Sequence, residues 1–444
     1  MRKRMSTVVA LMLSVLLALT ACSGGNGEAG GSPAASGGAS AAPGNGEATK
    51  IVFWTFQELH QKYYEEMANR WNEQHPDKLI EFEGSTFPYD DVHNKLLVAL
   101  QTGVGAPDMA DVEISKFANY LKGVPQLAPL NDIVEPELDN LVKSRFDIYA
   151  KDGNYYGVDY HVGAAVIYYN KEILDKAGVK PDDIKTWDDY KAAGKTVLEQ
   201  TGVPMTTVET TEHWSLWPLI AQQDGDLLGP DGSVTLDSDV NIRTVQYLQD
   251  LVKEKIAATT PGGFHHSEEY WAFMNQGGAA SIWMPMWYMG RFVDNMPDLK
   301  GKMVIKPMPA WTEGGARSAG MGGTGTVITQ QSQVQELAKE FLAFAKLSKE
   351  GNIALWTELG FDPLRSEVWT LPELNEPNKF TEYFGDGIFR MLSEVKDEIK
   401  PVNIGEKTPA IIDAVKRSAM FRTLNDLEDP AKVLKEVADE VRAQ

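Results

Sequence analysis

"KIVFWTFQELHQKYYEEMANRW", residues 50–71, opens on a short run of β-branched and aromatic residues and passes into a stretch where Leu59, Tyr63, Met67 and Trp71 recur every four positions until Pro76. The first part reads as a strand and the second as an amphipathic helix with one apolar stripe. The same pair follows at once: "LIEFEG" (79–84) repeats the strand signal, and Val92, Leu96 and Leu100 repeat the helical stripe before Gly103 stops it. "PDMADVEI" (107–114) is a third strand, with a short helix predicted after Ser115. Strand alternating with helix predicts an α/β fold whose mostly parallel sheet is covered on both faces.

Outward from this block, the N-terminus sets the compartment. Arg2, Lys3 and Arg4, an apolar run over 8–19 and "LTAC" (19–22) have the order of an export leader, residues 1–21. The run is too short to span a bilayer. Leu, a small residue and Ala directly before Cys22 resemble the bacterial lipobox, in which the cysteine is lipidated and becomes the new N-terminus. Cys22 is the single cysteine of the chain, so no intramolecular disulfide is available, and its expected role is lipidation. The plain alternative is a stray cysteine ending the leader. Residues 22–48 form the expected lipidated, disordered tether, because Gly, Ala, Ser, Pro and Asn bury too little apolar surface to offset ordering entropy.

The remainder, 49–444, is too long for one ordinary core and predicts two domains. The formal charge is −21, and loss of the three basic leader residues makes the rest more acidic still. Such a surface repels nucleic acid and anionic headgroups, so no nucleic-acid partner is expected and membrane contact falls to the lipid alone. Further helix starts are predicted by capping boxes at Thr186/Asp189 and Ser332/Gln335, the latter followed by a stripe of Val334, Leu337, Ala338, Phe341 and Ala345.

The order of motifs resembles the substrate-binding lipoproteins of ABC sugar importers, the family that includes maltose-binding protein. "YYGVDYHVGAAVIYYNKEILDKAGV" followed by "KTWDDY" is similar to that family's crossover from first lobe to second. "FMNQGGAASIWMPMW" is similar to its return segment, and "ELAKEFLAFAKLSKEGNIALWTELGFDPLR" to the helix and loop after the last crossing. "FWTFQELHQKYYEEM", "ADVEISKFANYLKG" and "GGFHHSEEYWAFMNQGGAAS" resemble most the arabino-oligosaccharide-binding lipoproteins of Gram-positive bacteria. The resemblance implies a two-lobed periplasmic-binding-protein-like fold of type II, with discontinuous lobes and an interlobe ligand cleft. Lobe one would be 49–159 with 285–327, and lobe two 160–284 with 328–444. Asp159, where many members have proline, and Pro285, where glycine is common before the tryptophan, depart from the family pattern. The expected protein is a monomer without cofactor or catalytic residues. It binds a neutral oligosaccharide by hinge closure and passes it to the permease subunits of an importer. Arabino-oligosaccharide is the expected sugar, with other plant-derived or malto-oligosaccharides as alternatives.

Candidate ligand residues follow from sugar chemistry, since a ring offers C–H faces to flat aromatics and hydroxyl edges to a few polar groups. "SIWMPMWYMGRF" (281–292) concentrates apolar rings at the inferred crossing, which makes Trp287 and Tyr288 candidates and leaves Trp283 to the core. Trp54 and Phe56 end the first strand, on the side where open α/β sheets bind ligands, although Trp54 would serve equally as core. Glu113 ends the third strand as a hydroxyl acceptor, or caps the helix after it. Asp159, Tyr160 and His161 lie at the crossing, as ligand contacts or as hinge structure. Trp214 and Trp217 sit three apart, as on one helical face, and Trp214 is the preferred candidate. Arg365 clamps a hydroxyl or holds a carboxylate. His265, His266 and Glu269 lack the further ligands zinc requires, so no metal site is expected. "GMGGTG" (320–325) precedes a strand where a dinucleotide loop would follow one, and reads as a turn. An exported glycoside hydrolase would share the aromatics and acidity but needs two carboxylates at a set separation, which no motif identifies. A receptor for a membrane sensor would look the same as a transport protein.

Overall fold

The computed structural model describes residues 48–444. The leader, Cys22 and most of the predicted tether lie outside the described residues.

The strands of the two larger sheets are, in chain order, β1 (Thr49–Thr55), β2 (Ile80–Thr86), β3 (Met109–Glu113), β4 (Ala165–Asn170), β5 (Ser281–Pro285), β6 (Met303–Lys306) and β7 (Thr324–Ile328). The first sheet has the order β7-β3-β1-β2. β1 runs parallel to both β2 and β3, while β7 returns antiparallel on the edge of β3. The strand–helix alternation read from residues 50–114 is present. Helix Glu58–Gln74 buries Tyr63, Tyr64, Met67 and Trp71 against this sheet, and helix Tyr89–Thr102 buries Val92, Leu96 and Leu100 before Gly103 ends it at φ 74°. The second sheet, β6-β4-β5, is antiparallel throughout. A small parallel pair, Thr206–Val208 beside Ala257–Thr259, lies next to it.

The chain passes between the sheets three times, and the three passages run side by side. Val158 bridges to Thr326, Ala164 bridges to Gly320, and the Val162 N–H donates to the Asp362 carbonyl at 3.0 Å. The Asp362 carboxylate then accepts the N–H groups of Gly163 and Ala164 at 3.1 and 2.8 Å. Burial pushes this carboxyl up to about 7, against the pull of those two donors.

Packing allots two stretches differently from the lobe boundaries expected above. Residues 285–306 belong with the second sheet, because β5 and β6 flank β4 and Met289, Phe292 and Met296 share its core. Phe341, Leu342 and Ala345 pack instead against Tyr64 and Trp71 on the first sheet, so the helix Gln335–Leu342 belongs there. The physical reason is that "SIWMP" is a buried edge strand of the second sheet, paired with β4, and not a crossing. The actual return is the glycine-rich stretch 320–323.

Two local readings fare differently. The capping box of Thr186 and Asp189 forms in full. The one at Ser332 and Gln335 does not: Ser332 Oγ takes the Val334 N–H and donates to Asp108, and the Gln335 amide turns back to the Gln330 carbonyl. The helix starts at Gln335 with Val334 at its N-cap, two residues later than that box requires.

Candidate functional site

At the carboxyl end of β1, Phe56 lies half-buried against Tyr89 and His93, 5.2 and 5.4 Å between ring centroids. Glu113, ending β3, caps the short helix after it. Its Oε2 accepts the Ser115 N–H at 2.9 Å, the Tyr89 hydroxyl at 2.9 Å and the Ser115 hydroxyl, while no described residue hydrogen-bonds Oε1. Both readings of Glu113 are therefore compatible, one for each oxygen. Burial pushes its carboxyl up, with Ser115, Tyr89 and His213 pulling back. His213 belongs to the other sheet's side, so the two halves come within electrostatic reach here. Trp54 is nearly buried, its edge toward Phe87 and its face 3.9 Å below the Lys95 ammonium.

The second half of the site grows from the small parallel pair. Loop 209–216 leaves one strand and loop 260–267 leaves its neighbour, both from carboxyl ends, as ligand-facing loops of α/β sheets do. The first loop carries Trp214, whose ring meets Trp287 edge to face at 5.3 Å and 76°. The second carries His266, stacked on Trp287 at 5.5 Å and 23°. Trp287 donates its Nε1–H to the Met321 carbonyl at 3.2 Å, fixing its plane against the return crossing. Trp214, His266 and Trp287 are half-buried, and neither Trp214 Nε1 nor the His266 ring is hydrogen-bonded by any described residue. A half-buried aromatic corner with free polar edges suits a sugar, which needs a C–H platform and hydroxyl partners together.

The expected Trp214–Trp217 face is corrected. The helix begins at Trp217, which is core and donates to Asp226 at 2.7 Å, while Trp214 precedes it in the loop. Trp287 likewise is not on a strand but in a short turn after β5.

Four candidates are structural in this arrangement. Asp159 is fully buried: Oδ2 accepts from Arg145 at 2.6 Å and from the Tyr149 hydroxyl at 2.7 Å, and Oδ1 accepts the N–H groups of Tyr160 and Thr324. Burial raises its carboxyl, but Arg145, with His161 and Tyr149, more than reverses this and holds it down at about 2. Tyr160 stacks on His60 at 3.9 Å, donates to Asp111 and lies under the Lys346 ammonium. Tyr288 is buried and donates its hydroxyl to the His265 carbonyl. Arg365 is buried and holds Glu137 and Glu367. The expectation that these four touch ligand fails because their polar atoms are spent inside the fold. His161 differs, being edge-on to Phe361 with Nδ1 buried and unpaired, and its ring makes no hydrogen bond to any described residue. Burial pushes that imidazole down to about 3, so it is neutral.

Sequence reasoning missed Arg145, Glu209, His213 and Asp362, and weighed His266 only as a metal ligand. The signal available for His266 was its loop, "GGFHHSEE", between a short strand and a helix.

Two polar surface depressions, of about 600 and 400 Å³, share no residue with the aromatic corner. The corner lies at the crossings instead. Among the described residues no helix is long and apolar enough to cross a membrane.

Two α/β lobes joined by three adjacent crossings, with aromatic rings and unspent polar groups beside them, define a solute-binding protein. Residues 57–351 match the family described as bacterial extracellular solute-binding protein, and the chain belongs to that family. It is 50% identical over 398 residues, 89% of either chain, to the arabinooligosaccharide-binding protein of Halalkalibacterium halodurans. It is 46% identical over the full length of both chains to the arabinooligosaccharide-binding protein of Bacillus subtilis. Its fold is similar to that of the GacH receptor of Streptomyces glaucescens, with a TM-score of 0.72, 20% identity, and coverage of 90% of this chain and 98% of that one. It is also similar to the galacto-N-biose/lacto-N-biose I-binding protein of Bifidobacterium longum, with a TM-score of 0.74, 19% identity, and coverage of 90% and 97%. These relatives are binding proteins, and this chain is one too, not an enzyme.

Proposed function

We propose that this protein binds arabino-oligosaccharides between its lobes and presents them to the membrane subunits of an ABC importer, held at the outer face of the membrane through Cys22. The observation that carries the reading is the 46% identity over both full lengths to a protein of that named specificity. The site supports it. Trp214, Trp287 and Phe56 offer ring faces, while Glu113, His161 and His266 offer unspent polar atoms. The neutral imidazoles of His161 and His266 suit an uncharged ligand. Closure about the three crossings brings the two halves onto the sugar, driven by tighter binding in the closed state.

Titration calorimetry of the protein from residue 48 onward tests this, against arabino-, xylo- and malto-oligosaccharides with product analysis afterwards. The expected result is tight binding of the arabino series with the sugars intact. Binding confined to another series overturns the substrate, and shortened sugars overturn binding without chemistry.

A further inference from the structure

The loops bearing Trp214 and His266 are pinned by one buried acid. Glu209 has no exposure to solvent. Its Oε1 accepts the His265 N–H at 2.9 Å, its Oε2 accepts the Ser215 N–H at 3.2 Å, and its own N–H donates to Ser215 Oγ at 2.9 Å. These N–H groups belong to the residue just before His266 and the residue just after Trp214. The same loops are stitched elsewhere. The Gly263 carbonyl accepts from Thr210 and Thr211 N–H, the His265 carbonyl accepts from Trp271 Nε1 and the Tyr288 hydroxyl, and the Ser215 carbonyl accepts from Trp283 Nε1. Glu209 is the only side chain among these contacts that holds both loops at once.

Its charge state follows from its surroundings. Among the described residues no lysine or arginine pairs with it, and the groups facing it include His265, Glu212, Trp214, Ser215, Tyr270 and Tyr288. An ionised carboxylate would be an uncompensated buried charge, and burial pushes the group up to about 8, so it is the neutral acid at pH 7. The neutral acid has a proton to place. His265 Nδ1, 3.3 Å from Oε1 and otherwise unpaired, is the acceptor within reach, since Nε2 is occupied by the hydroxyls of Thr207 and Thr260.

We propose that Glu209 is the positioning residue of the ligand-facing wall: by clasping the peptides beside Trp214 and His266 it sets both rings against Trp287, and thereby sets affinity for the sugar. The affinity half rests on the oligosaccharide reading above, while the geometric half does not. The test pairs Glu209→Ala and Glu209→Gln, each checked for cooperative unfolding. Two readouts follow: affinity for arabino-oligosaccharides, and the indole ¹H–¹⁵N resonance of Trp214, assigned with Trp214→Phe. The expected result is that the Ala variant folds, loses at least tenfold in affinity and shifts the Trp214 resonance. Gln keeps an acceptor for only one of the two peptide N–H groups, so it should recover part of the affinity lost in the Ala variant. A folded Ala variant with unchanged affinity and an unmoved resonance overturns the proposal, as does a Gln variant no better than Ala in both readouts. If the Ala variant does not fold, Ser215→Ala removes the reciprocal contact and decides by the same resonance, which must move. If the parent protein binds no arabino-oligosaccharide, the functional reading falls and the indole shift alone still decides the role of Glu209.

Discussion

Trp214 and Trp287, from loops on different strands, stand edge to face at 5.3 Å beside the Gly322 turn, where a Cβ would meet Trp287 Nε1 at 3.0 Å and Trp214 Cη2 at 3.4 Å. The corner is thus built by two indoles and a residue that must lack a side chain, at φ 69°. Replacing Trp287 with Ala removes the shared face of that corner and should weaken oligosaccharide binding tenfold or more, about 1.4 kcal/mol or above. Trp287→Phe should fall between. Trp217→Ala, in the core, should instead cost about 3–5 kcal/mol of stability. Calorimetry paired with urea unfolding separates the two, and undiminished affinity in Trp287→Ala would remove the corner from the site.

Asp159 makes a different prediction from the one its position in sequence suggests. Its carboxylate ties Arg145, and Arg145 in turn donates to the Gly322 carbonyl at 2.5 Å, so one clasp joins the first crossing to the return crossing. Asp159→Asn leaves the buried guanidinium without its counter-charge, and a loss of about 3 kcal/mol in unfolding free energy is expected. Urea denaturation should show a lower midpoint at unchanged slope. A midpoint equal to the parent's would mean that the clasp contributes nothing to stability.

What could be read from the sequence was whatever local periodicity encodes. The stripe from Tyr63 to Trp71, the stop at Gly103 and the strand at 109–113 all obey nearest-neighbour rules, and they sufficed for an α/β fold. Lobe boundaries did not obey them. "SIWMP" has the same apolar pattern whether it crosses between lobes or sits inside a sheet, and only its pairing with β4 decides. The site was half legible for a related reason. An aromatic at a strand's carboxyl end, such as Phe56, announces itself, but whether Asp159 faces a sugar or an arginine depends on Arg145, whose approach no spacing reveals. Glu209 was invisible because a lone acid in "TTVETTEHW" looks like any solvated charge until two loops close over it.

Closure about the crossings predicts a change in shape. Gly323, at φ 144°, packs so closely on the clasp that a Cβ would strike Arg145 Nη2, and meet Asp159 Oδ2 at 2.5 Å. Small-angle scattering should show a smaller radius of gyration with saturating arabino-oligosaccharide than without. Gly323→Ala should reduce both the change and the affinity, since the return crossing must shift to admit the methyl group. Identical profiles with and without sugar would refute hinge closure.

Asp362 gives the pH dependence. Burial raises its carboxyl in the folded protein to about 7, from 3.8 in an ordinary setting. Between those values the folded chain holds a proton that the unfolded chain has released. Stability from this group is therefore fully present below about 3.8 and is lost as pH rises through 7. The slope contributed by one such proton is at most about 1.4 kcal/mol per pH unit. Glu209 acts with the same sign, while His161 and His266, held neutral when folded, oppose it below their ordinary range. The difference between parent and Asp362→Asn cancels these shared contributions. Asparagine keeps an acceptor for one of the N–H groups of Gly163 and Ala164 and does not titrate. Urea unfolding at several values between pH 5 and 8 should show the parent losing stability relative to the variant as pH rises. Parallel curves would mean that Asp362 ionises at its ordinary pH despite its burial at the hinge.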